Sequence, residues 1–184
     1  MTTWCAGPGG LREPMETDIE IREVRDGDLE SFNEALNEVC AERQYMAIAH
    51  GIPLEIHRAF LQIVITNRLP QVVAVEHQKI VGWCDVIPHV EEGFTHIGRL
   101  GMGVRMSYRG RGIGRELLSE CLRHAGRYGL EKVELEVFEN NAVAIRLYEA
   151  FGFRREGCKA KARKLDGCYQ DSILMGLLIG AGGR

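Results

Sequence analysis

The chain has 184 residues, 45% of them hydrophobic, enough to bury a substantial core in a single domain. Its formal net charge of -3 excludes a general nucleic-acid binder, which would be basic overall, so any basic site must be local. Six cysteines without paired metal spacing, an opening unlike a secretion signal, and a longest apolar run (Ile173 to Ile179) broken by Gly176 predict a cytoplasmic protein with reduced thiols, no metal centre and no membrane span.

Residues 1–18, with Gly7-Pro8-Gly9-Gly10 and Pro14, show no period and are expected to form a flexible leader. Ile19, Ile21 and Val24 predict a short strand, and Asp26 or Asp28 can cap a helix running through Phe32, Leu36, Val39 and Cys40. Glu30, Glu34, Glu38 and Glu42 share the outer face of that helix. A solvated face explains them, with attraction of a cationic substrate as the other reading. Gly51 and Pro53 break the pattern before a second helix over 54–68, and acceptor selectivity is expected in the loop between the two helices. Gln71 to Val75 and Lys79 to Ile87, separated by His77-Gln78, predict a hairpin. Thr95 to Val104 predicts an adjoining strand, in which Gly98, Gly101 and Gly103 point to a bulge or to a ligand lying against the backbone.

Arg109 to Gly114 reads Arg-Gly-Arg-Gly-Ile-Gly and leads into a helix whose apolar positions are Ile113, Leu117, Leu118, Cys121 and Leu122. Glycines there let backbone N–H groups turn toward one centre, at the positive end of the helix. Arg99, Arg105, Arg109, Arg111 and Arg115 come without an intervening acid, so an anion is the expected guest. A nucleoside-triphosphate loop would need Gly-Lys-Ser/Thr, and a dinucleotide fingerprint a third glycine one residue later; neither fits. Lys132 to Val137 predicts a buried strand and Asn140-Asn141 the start of another helix, an alternation typical of a parallel βαβ unit. Along Asn141-x-x-Ala144-x-x-Leu147-Tyr148, helical spacing sets Val143, Leu147 and Ala150 on a core side and Asn141, Ala144 and Tyr148 on another, with Arg146 and Glu149 toward solvent. Gly152 would stop this helix, and Phe153 to Lys164 and Tyr169 to Leu178 would close the fold as a hairpin, before a short tail over 179–184.

Arg109-x-x-Gly112-x-Gly114 resembles the acetyl-CoA pyrophosphate loop of the GCN5-related N-acetyltransferase (GNAT) superfamily. The Asn141 to Tyr148 segment resembles the one that, in that superfamily, follows the fifth strand and carries a tyrosine beside the cofactor sulfur. The resemblance covers residues 19–178. Val137-Phe138 through Gly152-Phe153, with Asp166 to Asp171, looks most like small bacterial L-amino-acid N-acetyltransferases. It implies one α/β (α+β) domain, with a mixed, mostly antiparallel central sheet of about six to seven strands flanked by about four helices.

The implied activity is transfer of acetyl from acetyl-CoA to a primary amine of a small molecule, a free L-amino acid being the narrower form. A protein or peptide N-acetyltransferase and a non-catalytic CoA-binding sensor are the alternatives. Met102, Gly103 and Val104 would serve the pantetheine arm and polarise the thioester carbonyl. Arg109, Gly110, Arg111, Gly112, Ile113 and Gly114 would hold the pyrophosphate, Asn141 and Ala144 would flank the arm, and Tyr148 would assist the departing thiolate. Tyr148 also reads as a core aromatic, and the basic run Arg154 to Lys164 as a solvated strand face or an aid to a CoA phosphate. No metal, nucleic acid or membrane is implied, and a homodimer is compatible. The amine must lose a proton before attack. Family members often place a glutamate on the strand entering the loop, but Thr95-His96-Ile97-Gly98-Arg99-Leu100 has none. His96 acting through water is the candidate base; His96 and Asp85 both sit on strands that could border the acceptor, and both also read as structural.

Overall fold

Seven strands join in one sheet in the order β1-β2-β3-β4-β5-β7-β6. The structure, a computed structural model, describes residues 19–179; the expected leader over 1–18 and the tail from 180 onward lie outside the described residues. The strands are β1 (Glu20–Glu23), β2 (Gln71–Glu76), β3 (Lys79–Pro88), β4 (Ile97–Val104), β5 (Lys132–Phe138), β6 (Arg154–Leu165) and β7 (Cys168–Leu178). The helices are α1 (Leu29–Ala41), α2 (Leu54–Asn67), α3 (Ile113–Tyr128) and α4 (Ala142–Ala150). Every adjacent strand pair is antiparallel except β4 and β5, which α3 connects as a parallel crossover.

Two layers of helix cover the sheet. α3 buries Ile113, Leu117, Leu118, Cys121 and Ala125, and this stripe packs with Val72, Val86, Leu100 and Val133 on one face. On the other face α1 sets Phe32, Leu36, Val39 and Cys40 against Val73, Val75, Ile80 and Trp83. The β2–β3 turn places His77 and Gln78 at φ of 49° and 65°, the left-handed pair that matches strand twist in a two-residue hairpin.

Three expectations are corrected by the packing. Asp28 does not cap α1. A short 3-10 turn at Asp26–Asp28 precedes the helix, and the Asp28 carboxylate instead accepts two hydrogen bonds from Arg22 at 2.7 Å and one from the Arg25 N–H at 2.7 Å. β4 carries no bulge: its ladder with β3 runs unbroken from Gly82↔Val104 to Pro88↔Gly98, and the irregularity lies between Ala74 and Val75 of β2. The β4 glycines answer to neighbours, since a Cβ at Gly103 would meet the Trp83 ring and one at Gly98 would meet Val86 and Leu130. On α4 the core side is Ile145 and Tyr148, whereas Val143 is 73% exposed and Ala150 is exposed. The helix rotates because Tyr148, the largest side chain on it, fills the space beside Phe153 at 5.7 Å between ring centroids.

Burial pushes the Asp28 carboxyl up, but Arg22 and the Arg25 amide outweigh it and hold the group below its ordinary value. A depressed folded pKa contributes stability above about pH 4, the unfolded value, and that contribution is lost as pH falls through the folded value. Asp28→Asn should therefore destabilise the protein by about 1.5–3 kcal/mol at pH 7, the range for hydrogen bonds to a charged group. Urea unfolding at pH 7 and pH 3 checks this, the difference from wild type shrinking at the lower pH.

Candidate active site

β4 and β5 are paired only from Ile97↔Lys132 to Arg99↔Glu134, after which β4 runs on to Val104 and β5 to Phe138 without meeting. A cleft of about 660 Å³ occupies the gap. Leu100, Gly101, Met102, Gly103 and Val104 form one wall, and Glu136 and Val137 the other. Backbone groups on the inner edge of β4 beyond Arg99 have no strand beside them, which leaves them free to bond a ligand.

The loop ahead of α3 forms the far end of the cleft. Gly110 and Gly112 have φ of 77° and 87°, a conformation that L side chains rarely adopt, and nothing lies within 4 Å of a Cβ placed on either. Main-chain shape, then, and not crowding, calls for glycine at both. At Gly114 a Cβ would lie 3.5 Å from Met102 and 3.7 Å from Leu147, so the absent side chain leaves the cleft floor open. Among the described residues, the amides of Gly110, Arg111, Gly112, Ile113 and Gly114 bond no protein acceptor. These free donors lie at the positive end of a 16-residue helix and suit a multiply charged anion.

The arginines of this region are largely committed elsewhere. Arg109 donates to both Glu42 oxygens at 2.6 and 2.8 Å and through Nε to the Val104 carbonyl at 2.9 Å, with its guanidinium 5.5 Å from the Tyr45 ring. Arg105 bonds Glu38 at 2.7 Å and lies 3.8 Å from Glu34. The acids of α1 and its C-terminal end, expected either to be solvated or to attract a cationic substrate, instead engage the loop arginines through Glu34, Glu38 and Glu42, each about one helical turn from the next. Arg111 turns away from the cleft to the Ser107 carbonyl and the Tyr108 ring. Arg115, 5.4 Å above the Phe151 ring, lines the cleft and has no acidic partner among the described residues.

Of the residues singled out from sequence, Met102, Gly103, Val104, Arg109, Gly110 and Gly112 line this cleft, as do Ile113, Gly114, Asn141, Ala144 and Tyr148. The Asn141 side-chain oxygen accepts from the Ala144 N–H at 3.2 Å and caps α4, leaving its amide nitrogen for a ligand. Tyr148 is 6% exposed, its ring in the core, and its hydroxyl bonds no protein group among the described residues. Burial pushes this phenol well above its ordinary pKa, with Cys84 adding to the shift.

His96 falls outside the cleft. It is exposed ahead of β4, four residues before Leu100, or about 13 Å along an extended strand. Arg115, one of the five arginines expected to draw an anion, does line the cleft, whereas sequence reasoning missed Glu136, which alternation along β5 assigns to solvent. It located the α1–α2 loop but not Tyr45, Met46 and Ala47, which line the cleft from above. Arg163 of β6 fastens that loop, donating to the carbonyls of Met46 at 2.8 Å and of Arg43 and Gln44 at 3.1 Å while stacking 4.3 Å from the Phe138 ring. Arg43 in turn bonds Asp166 in the β6–β7 turn at 2.8 Å.

Parallel strands that part beside a glycine loop heading a helix define a fold with an anion-accepting cleft at a strand edge. The chain belongs to the acetyltransferase (GNAT) family, whose profile matches residues 33–153. It is an acetyl-CoA-dependent acetyltransferase. It is 28% identical over 108 residues to the L-amino acid N-acetyltransferase AaaT of Escherichia coli, covering 58% of this chain and 67% of that protein. Over 51 residues it is 43% identical to the spermine/spermidine N(1)-acetyltransferase of Bacillus subtilis, 27% of this chain and 34% of the relative, so the match spans about a third of that protein. Among solved structures, a GNAT-family acetyltransferase from Streptococcus pneumoniae superposes with a TM-score of 0.83 over 89% of this chain and 100% of the other, at 27% identity. YncA from Salmonella typhimurium, solved with acetyl-CoA, shares the fold at 20% identity with a TM-score of 0.84, over 90% of this chain and 96% of that one.

The Glu42–Arg109 pair is the tie between α1 and the glycine loop. Glu42→Gln removes its charge and should lower stability by about 1.5–3 kcal/mol, the worth of charge-assisted bonds in partial burial. Amide exchange at residues 43–47 and 109–112 should quicken together, which hydrogen-exchange mass spectrometry would read.

Proposed function

We propose that the enzyme carries acetyl to the primary amine of a small molecule, with free L-amino acids the first class of acceptor. The observation that carries this is the single cleft in which unpartnered loop amides, an unpaired strand edge and the Tyr148 ring converge. Its dimensions and donor set fit the cofactor: an anion site at one end, a strand edge able to pair with amide groups, and a glycine floor between them. Bound acetyl-CoA would supply an activated thioester carbonyl.

The amides of Gly110 to Gly114 would hold the pyrophosphate and Arg115 would add charge beside it. Backbone groups of Met102 to Val104 would orient the arm and donate to the thioester oxygen, a role worth about 2.7–4 kcal/mol per donor in acyl transfer. Asn141 and Ala144 would border the arm from α4. Tyr148 would hydrogen-bond the sulfur as negative charge builds there. An unperturbed phenol at about 10 already gives up its proton to a thiolate of about 8.5 at a loss of roughly 2 kcal/mol. Burial holds Tyr148 in its protonated, donor form, which suits a hydrogen bond that strengthens as charge builds on sulfur.

Support for a small acceptor comes from the tie between the α1–α2 loop and the β6–β7 hairpin. Arg163 and the Arg43–Asp166 pair bridge the acceptor side, where a polypeptide would need an open groove. The naming of the E. coli relative as an L-amino acid N-acetyltransferase agrees with it. CoA thiol release measured with free amino acids, polyamines and peptides tests the reading. Turnover with amino acids supports it, and acetylation confined to peptide N-termini overturns it.

Gly112→Asp introduces a side chain at positive φ and a negative charge into the anion site. Calorimetry on the folded variant should show acetyl-CoA affinity lowered at least about tenfold, or about 1.4 kcal/mol. Tyr148→Phe keeps the ring packed on Phe153 and removes only the hydroxyl. Its kcat should fall at least about tenfold, the cautious end of general-acid help, with CoA affinity and melting temperature little changed.

A further inference from the structure

We propose that Asp85 of β3 is the proton acceptor for the incoming amine, reaching the cleft across the bare backbone of Gly101. The proposal rests on the amine-acetyltransferase reading above and adds the residue that reading lacks. β4 offers no acid at the acceptor end, where Arg99 stands, and His96 is outside the cleft. Asp85 is the direct cross-strand partner of Gly101, so the two residues share one face of the sheet. Gly101 lines the cleft, and a Cβ placed on it would lie only 3.2 and 3.3 Å from the Asp85 carboxylate oxygens. Any larger residue at 101 would stand between the carboxylate and the cleft. Asp85 is half-buried and does not itself line the cleft, so it would be reached past Gly101.

Its surroundings suit the task. On β2, Asp85 faces Gln71, 1% exposed, whose side-chain nitrogen and oxygen have no hydrogen-bond partner among the described residues. Burial pushes the Asp85 carboxyl up to about 7, and the neighbouring Gln71 amide draws it partly back. Charged groups on the same face of β4 and β5 are already engaged: Arg99 lies 3.6 Å from Glu136, Glu136 bonds Lys159, and Glu134 bonds His89 at 3.0 Å. From the helices, His57 is buried, held toward its neutral form and placed 3.2 Å from the Asn33 side chain. Cys84, next along β3, points to the opposite face, and its thiol is pushed well up by burial and by Cys121. A carboxyl near neutrality is matched to accept a proton at the operating pH.

In the reaction, an ammonium group gives one proton to the Asp85 carboxylate. The freed nitrogen lone pair forms the C–N bond as the C–S bond breaks. The second proton leaving nitrogen ends on sulfur, and Asp85 returns its own to water, so each turnover yields the amide, the thiol and one proton.

Wild type and the variants Asp85→Asn, Asp85→Glu and Glu136→Gln would be compared in acetyl-CoA calorimetry, thiol release across pH 5.5–9.5, and thermal melts over the same range. Asp85→Asn should retain acetyl-CoA binding and lose at least about 10²-fold in kcat, the lower range for a general base. It should also lose the limb of kcat/KM near pH 7, which Asp85→Glu should partly restore. A carboxyl whose folded pKa lies above its unfolded value binds the extra proton between about pH 4 and 7, so wild-type stability falls as pH rises through that window. Asp85→Asn removes the effect, so its melting temperature should gain on wild type from pH 5.5 to 8, a readout that needs no turnover. An active wild type beside an Asp85→Asn variant within threefold of it, or one keeping the limb, overturns the assignment and leaves the amine reading standing. So does a melting difference that ignores pH, or a loss found only in Glu136→Gln. A wild type that binds acetyl-CoA yet acetylates no amine overturns both.

Discussion

Everything functional in this molecule depends on two parallel strands ceasing to pair after three residues. β4 stays anchored to β3 along its whole length and β5 to β7 along its whole length, so neither strand loses its place in the sheet when they part. The separation exposes an edge on each without unravelling either half. An edge in water invites another strand; here it lies inside a cleft roofed by the α1–α2 loop, where a ligand with amide groups can take the place of the missing neighbour. α3 enters from the same point, and its amino end aims at the same gap because a parallel crossover must return across the sheet.

Charge is arranged around this gap with more restraint than an arginine-rich loop suggests. Arg105 and Arg109 are neutralised by Glu34 and Glu38 of α1 and by Glu42 at its C-terminal end, so the field of the loop comes chiefly from backbone amides and the helix end. That division has a physical advantage. Amides fixed by Gly110 and Gly112 lose no side-chain entropy on binding, whereas each long arginine immobilised at an interface forfeits about 0.5–1.5 kcal/mol. The ion pairs meanwhile join the helix that borders the acceptor loop to the loop that would border the donor, making the two ends of the cleft one mechanical unit.

Local features of this fold were legible in the sequence because they rest on local rules. The α3 stripe, the β2–β3 hairpin and the glycine loop depend on residues within one or two turns of each other, and each stands within a few residues of its expected bounds. Contacts between distant segments were not legible. Nothing in Glu30 to Glu42 says that residues 105 and 109 will come to lie across from them, and nothing in the basic run of β6 says that Arg163 alone will reach three carbonyls of another loop. The α4 faces were misjudged because periodicity gives relative angles but no reference direction. Tyr148 supplied that direction by occupying the core with its ring while its edge faced the cleft.

The cleft wall and the sheet behind it have one further property, which comes from Tyr148 at the wall and from Cys84 and Asp85 behind it. Tyr148, Cys84 and Asp85 come from two elements and both faces of the sheet, yet burial moves all three in the sense that favours the neutral form. A region that penalises a phenolate, a thiolate and a carboxylate also penalises an ammonium ion, since the desolvation cost falls on charge of either sign. An amine that reaches the Tyr148 side of the cleft as the ammonium form would lose hydration there, which favours the neutral form needed for nucleophilic attack. The same low polarity strengthens each fixed dipole directed at the reacting carbonyl. Backbone donors on the unpaired edge of β4 thus lie beside the buried phenol of Tyr148, and the parting of the strands creates both the donors and the space in which they act.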